Sequence, residues 1–209
     1  MSTRSLTTTS YALLGLLAIR PWSTYELANQ LRRSLHFFWP RAESNLYAEP
    51  KRLVEAGLAE AQDEWNGDRK RTVYSITEQG RAAFQDWLGT PPAPQRLESE
   101  AYLRVLFGNS GTKEDLIRAL ERIEADATAT VDNYVTHGGS YARGEGLFPE
   151  RIHVNALIAS LAITQGRATV SWARWAKAEV ERWDDTSAPD VEWAVMTLND
   201  AIDGASAEP

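Results

Sequence analysis

Cysteine is absent from the 209 residues, which removes disulfides, thiolate metal sites and cysteine nucleophiles together. Histidine is scarce: His36, His137 and His153 are the only three, and none sits in a metal-ligand spacing. No run of about 18 apolar residues occurs, so no membrane-spanning helix is expected. The opening MSTRSLTTTS lacks the apolar core of a signal peptide, and a cytoplasmic chain is the expectation. A nucleophile elbow, a phosphate loop and a dinucleotide turn are missing as well. No enzyme, metal or cofactor is therefore expected.

An excess of positive charge is also lacking, since the formal net charge is −7. The deficit is uneven. Residues 1–90 hold 11 Lys+Arg and 10 Asp+Glu, hence +1, whereas residues 91–209 hold 11 and 19, hence −8. Local field decides whether phosphate is attracted, so the total does not exclude DNA.

What is present is concentrated between Phe37 and Gly80. A helix is predicted over Pro40–Ala56, with Leu46, Pro50, Leu53, Val54 and Gly57 on one face at 3.6-residue spacing. Its other face carries Arg41, Ser44, Asn45, Lys51 and Arg52, a set able to meet phosphates and base edges. Gly57 closes the helix. Two extended runs follow, Leu58–Trp65 and Arg69–Ile76, joined through Asn66-Gly67-Asp68, a strong hairpin signal. Arg69, Lys70 and Arg71 stand at the tip of that ribbon. A polar-faced helix followed by a basic hairpin is the plan of a winged helix that binds DNA. Pro50 disturbs it, because a proline inside a helix costs roughly 3 kcal/mol. Either the helix kinks near Leu46–Tyr47, or a short turn precedes a second helical piece.

Upstream, Thr7–Leu17 is apolar on nearly every side and should be buried. Ser23-Thr24-Tyr25-Glu26 fits a capping box opening a helix to about Leu35, with Leu27, Leu31 and Leu35 inward. Thr24 and Tyr25 then stand at a helix N-terminus, where backbone amides favour a phosphate; pure capping is the alternative. Thr77 caps a fourth helix, Glu78 to about Leu88. Pro91-Pro92-Ala93-Pro94 follows as a stiff spacer. The expected division is a winged helix-turn-helix over 1–90, a linker over 91–96, and a helical domain over 97–209. The fold class is thus mainly α with a small β-hairpin wing.

In the helical half, Glu98–Phe107 is short, and Thr112 caps a helix that Gly138-Gly139 should break. Leu116, Leu120, Ile123, Ala127, Thr130 and Tyr134 recur at spacings of 4, 3, 4, 3 and 4, a heptad seam that wants a partner helix. A helix over about Pro149–Asp184, on the order of 50 Å long, and a last one over Ser187–Ile202 leave more apolar surface than one chain covers. A homodimer is expected, with Leu116, Leu120, Ile123, Ala127 and Tyr134 at its interface. Trp172, Trp175 and Trp183 lie close to one face of the long helix. They read either as bundle core or, around Trp172 and Trp175, as a flat pocket for a planar aromatic effector.

The opening YALLGLLA, the STYELANQL helix, the NLYAEPKRLVEAGL helix and YSITEQGR together resemble the PadR family of transcriptional regulators. Tyr74, Ile76, Thr77 and Gly80 follow its aromatic-x-apolar-Thr-x-x-Gly pattern. Leu46-Tyr47, Arg52-Leu53 and Gly57-Leu58 match its helix pattern, over about residues 8–85 in all. One departure stands out: Ala48 follows the Leu-Tyr pair where the family usually has proline, and Pro50 comes later. The resemblance implies a dimeric winged-helix repressor on an inverted-repeat site in double-stranded DNA, released by a small molecule held in the helical half. It also places Tyr47, alternatively a core residue, at the recognition helix. The competing reading is a dimeric helical adaptor or ligand-binding protein without specific DNA binding.

Overall fold

The computed structural model describes residues 6–35, 37–39, 47–67, 69–187 and 190–207. It divides into two compact units, Met1–Gln95 and Arg96–Pro209. The first comprises α1 (Thr8–Ile19), β1 (Trp22–Ser23), α2 (Thr24–Ser34), α3 (Glu49–Glu55), β2 (Ala59–Asn66), β3 (Arg69–Ile76) and α4 (Glu78–Leu88). The second comprises α5 (Glu100–Leu106), α6 (Lys113–Ala142), α7 (Ile152–Arg182) and α8 (Val191–Ala207).

In the first unit the all-round apolar α1 is the centre. Its Leu13, Leu14 and Leu17 are fully buried with Leu27 and Leu31 of α2 and Leu53 of α3, each contributing roughly 1.5–3 kcal/mol. Tyr11 stacks on Trp87 of α4 at 4.9 Å between ring centroids. The predicted capping box of α2 forms as read. Ser23 Oγ accepts from the Glu26 amide at 3.3 Å, and the Ser23 amide donates to the Glu26 carboxylate at 2.8 Å. Thr77 caps α4 by accepting from the Gly80 amide at 3.0 Å, and its hydroxyl donates to the Gly57 carbonyl at 2.7 Å. One side chain therefore fixes both the start of α4 and the end of α3.

The sheet has three strands rather than the hairpin's two, in the order β1-β3-β2. Trp22 pairs with Tyr74 and Ser23 with Val73, antiparallel. Two residues are too short for a sequence signal; what holds β1 is the indole of Trp22, donating to the Leu16 carbonyl at 2.7 Å. Asn66 pairs with Arg69 and is the last residue of β2, so it belongs to the strand rather than to the connection. Gly67 takes the positive φ, 61°.

A single helix over 40–56 is not what forms. Tyr47 and Ala48 lie in a turn, and α3 begins at Glu49. Pro50 falls in its first turn, where the missing N–H has no intrahelical partner to lose. A helical piece thus starts after a turn at Tyr47-Ala48, while residues 40–46 lie outside the described residues. Gly57 (φ 72°) ends α3 as predicted, its amide bonding to the Val54 carbonyl and the Leu58 amide to the Leu53 carbonyl, both at 2.9 Å.

In the second unit α6 and α7 lie antiparallel. Arg174 pairs with Glu124 at 2.6 Å and Lys177 with Glu121 at 2.7 Å. Gly138-Gly139 does not break α6, which continues to Ala142. Each glycine disfavours the helix by about 1 kcal/mol without removing a hydrogen bond. The stop comes at Gly144 (φ 77°), with its amide on Tyr141 and that of Glu145 on Ser140. The long third helix begins as a short 3-10 turn, Pro149–Arg151, before α7.

Candidate nucleic-acid interface

Three segments of the first unit present polar side chains outward. Ser23, both strand residue and N-cap, pairs with Val73 at the base of the wing, so α2 starts beside β3. From this start Tyr25 projects, 74% exposed, with Thr24 half-buried. Before α3, Tyr47 is 71% exposed, which removes the core reading for it. Lys51 and Arg52 of α3 are exposed while Pro50 and Leu53 of the same helix are buried. Pro50 and Leu53 thus lie inward as the periodicity predicts, whereas Val54 is half-buried and Gly57 exposed. Arg41, Ser44 and Asn45 lie outside the described residues, as does the side chain of Arg69.

Two features of this surface escaped the sequence reading. Glu49, between the apolar Leu46 and Leu53 positions, is buried to 4% exposure; it accepts from Ser10 and, at 3.2 Å, from Arg52. The wing cations are also not isolated. Lys70 pairs with Asp63 and Arg71 with Glu64, each at 2.9 Å. The Lys70 ammonium and then the Thr72 hydroxyl hold the Asp63 carboxyl below the usual carboxylate range. The hairpin register was the available signal, since pairing Asn66 with Arg69 sets Glu64 opposite Arg71 and Asp63 opposite Thr72.

In the second unit the predicted seam is occupied by the same chain. Leu116 and Leu120 cluster with Val180 of α7, flanked by Ala176 and Trp183. Ile123 and Tyr134 are buried and Ala127 half-buried along the same helix. Gly166 lets α7 approach so closely that a Cβ there would stand 2.6 Å from Val131 and 3.4 Å from the Ala127 carbonyl. A heptad seam asks for any neighbouring helix, and the antiparallel α7 supplies it.

Trp172 and Trp175 belong to different places. Trp172 meets Tyr102 edge-to-face at 6.2 Å and lines an apolar cleft of about 550 Å³ with Val105, Leu106, Ala168 and Thr169. Trp175 stacks on Trp193 of α8 at 6.4 Å, and Trp183 meets the same ring edge-on at 5.6 Å. One flat pocket built on both is therefore corrected to a cleft at Trp172 and a packing cluster at Trp175. No cluster of three metal-ligating side chains occurs among the described residues, and no described helix is long and apolar enough to cross a membrane.

Known proteins are similar to this chain in part of its sequence and in fold. Residues 13–86 match the model of the transcriptional regulator PadR-like family. The negative transcriptional regulator PadR of Bacillus subtilis is 29% identical over 99 residues, covering 46% of this chain and 54% of that protein. The chain thus spans about half the length of the curated relatives it matches. Among solved structures, smu.1604c from Streptococcus mutans superposes with a TM-score of 0.73 at 19% identity, covering 81% of this chain and 98% of that one. Bacillus subtilis PadR bound to operator DNA superposes at 0.67, with 23% identity and coverage of 83% and 99%. The same protein with p-coumaric acid gives 0.61, with 23% identity and coverage of 84% and 100%. These likenesses establish a shared mainly helical fold with a winged sheet. Over residues 13–86, the chain is similar to the transcriptional regulator PadR-like family.

Proposed function

We propose that this chain is a sequence-specific DNA-binding transcriptional regulator, a homodimeric repressor released by a small planar aromatic molecule. The observation that carries the reading is the outward polar face of α3 followed by a wing bearing Lys70 and Arg71, within the PadR-like domain. Support comes also from Bacillus subtilis PadR, named a negative regulator and solved with operator DNA and with p-coumaric acid. The winged helix-turn-helix spans 1–90, the linker 91–96, and the helical domain 97–209. Tyr47, Lys51, Arg52, Arg69, Lys70 and Arg71 contact DNA, while Thr24 and Tyr25 meet a phosphate at the start of α2. The protein acts in the cytoplasm and is not an enzyme.

The dimer surface is assigned to exposed apolar residues rather than to the seam that α7 fills. Leu157 and Leu161 of α7 and Leu198 and Ile202 of α8 stay 48–74% exposed. Large apolar side chains left exposed along two helices are candidates for an association surface. Two winged helices related by a two-fold axis read half-sites about one helical turn apart on an inverted repeat.

The test is a binding assay on the DNA upstream of the protein's own gene, with a salt series. With about 6–10 phosphate contacts per dimer, affinity falls roughly 10³–10⁵-fold between 50 and 200 mM salt. A flat response, or no duplex binding at low salt, sinks the DNA reading and leaves a dimeric adaptor. Light scattering that shows a stable folded monomer removes the dimer.

A further inference from the structure

The wing holds more acid than base. Over Ala59–Ile76, Glu60, Asp63, Glu64 and Asp68 stand against Arg69, Lys70 and Arg71, four against three, a net −1. Two of those acids are placed on cations by the hairpin register. Glu64 lies directly opposite Arg71, and its Oε2 is 2.9 Å from Arg71 Nη2. Asp63 takes the Lys70 ammonium on one oxygen at 2.9 Å and the Thr72 hydroxyl on the other at 3.0 Å. All four charged side chains are about half exposed, so the pairs are open to solvent and to an incoming anion.

We propose that Asp63 and Glu64 are intramolecular competitors of DNA phosphate, setting the wing's affinity below what its cations alone would give. The inference rests on the DNA-binding reading above. A carboxylate and a phosphate oxygen are acceptors for the same ammonium and guanidinium donors. Contact with DNA therefore exchanges one anionic partner for another rather than adding a bond to a free cation. The released carboxylate is left beside a phosphate of like charge, or must gather a counterion from solution. Counterions freed from DNA are then partly recaptured, so the salt dependence is shallower than the cation count implies. With a net −1 over the ribbon, the wing also exerts little long-range attraction on a duplex. Its cations act once the domain is already seated.

The experiment uses the full chain and a labelled random-sequence duplex, which needs no knowledge of the operator. Wild type, Asp63→Asn/Glu64→Gln and Glu60→Gln are titrated by fluorescence anisotropy across the same salt range. The double variant keeps the side-chain shapes and an acceptor for Thr72, and exposed pairs add little stability; matching thermal melts verify the fold. Binding at low salt should tighten by about tenfold or more, with the log–log salt slope steeper by roughly one to two. Glu60 faces Ser75 in the register and has no ion pair among the described residues. Glu60→Gln thus removes one charge without freeing a cation, and should shift affinity by less than about twofold at these salt concentrations. Wild-type affinity and slope in the double variant would overturn the proposal while leaving the DNA reading intact. So would equal tightening by Glu60→Gln, which would reduce the effect to net charge. Absence of salt-sensitive duplex binding by every form would instead remove the DNA reading itself, and the proposal with it.

Discussion

The Ser10 hydroxyl donates to the Glu49 carboxylate, joining the first turn of α1 to the first turn of α3. Both residues are buried, at 2% and 4% exposure. Ser10 also completes the capping box of α1, where its amide donates to Thr7 Oγ1 at 3.2 Å. The other Glu49 oxygen accepts from Arg52 one turn along α3. A carboxylate in the first turn also suits the positive end of the helix dipole. The pose of α3, the proposed recognition helix, is therefore set by a buried polar junction as well as by Leu53 packing.

Ser10→Ala tests that junction. The alanine leaves a buried carboxylate oxygen without its donor, which costs about 1–3 kcal/mol. Urea unfolding should show a lower midpoint with an unchanged slope. Duplex binding should weaken beyond the stability loss, because the outer face of α3 is re-aimed. An unaltered midpoint would mean that water replaces the hydroxyl, and that the junction does not hold the helix.

Among the glycines of the first unit, Gly80 has the least room for a side chain. A Cβ there would lie 2.0 Å from the Leu58 carbonyl oxygen and 2.9 Å from Ile76 Cγ1. The carbonyl belongs to the strand entry that Thr77 also bonds, through its amide at 3.1 Å, and has nowhere to retreat. Gly80→Ala should destabilise by about 3 kcal/mol, at the upper end for overpacking, read as a drop in melting temperature. A loss under about 1 kcal/mol would show that α4 can shift away.

The Glu26 carboxyl provides a pH handle. Burial pushes it up, but the Ser23 hydroxyl and amide, at 2.7 and 2.8 Å, and Arg20, at 3.0 Å, outweigh this and bring it down to about 2. A group whose folded value is depressed stabilises above its unfolded value, and that contribution disappears as pH falls through the folded one. Glu26→Gln should therefore differ from wild type most above pH about 4.5, with the difference closing towards pH about 2. The loss is about 1 kcal/mol, as for a cap at a solvent-washed turn. A gap that persists unchanged at pH about 2 would assign the effect to packing rather than charge.

What the sequence made legible was governed by short-range chemistry. Ser23 with Glu26, Thr77 with Gly80, and Gly57 past the end of α3 are decided within three or four residues, and each forms as its pattern implies. Three features were settled by tertiary contact and stayed hidden. β1 exists because the Trp22 indole reaches the Leu16 carbonyl. Glu49 reads as a surface carboxylate until Ser10, 39 residues earlier, is brought to it. The Leu116–Tyr134 seam announces that it wants a helix without saying whose, and α7 claims it. Gly138-Gly139 misled for a different reason: glycine weakens a helix by entropy, and neighbouring turns outvote it.

Release from DNA by a small molecule needs a place for it to bind. The apolar cleft at Trp172 is lined by Tyr102, Val105 and Leu106 of α5 and by Ala168 and Thr169 of α7. Two aromatic rings at a wide angle leave room for a planar molecule to stack on one and meet the edge of the other. For such a ligand to act, it must bind the released arrangement better than the DNA-bound one; equal affinity would change nothing. A hundredfold preference supplies about 2.7 kcal/mol, enough to empty an operator that is only marginally saturated. Tryptophan fluorescence should be quenched by planar aromatic acids, with parallel loss of DNA binding. Trp172→Ala should abolish both responses, whereas Trp175→Ala, in the packing cluster with Trp193, should lower stability and keep the quenching. Quenching that survives Trp172→Ala, or that leaves DNA binding untouched, would remove this cleft as the effector site and return Trp172 to bundle packing.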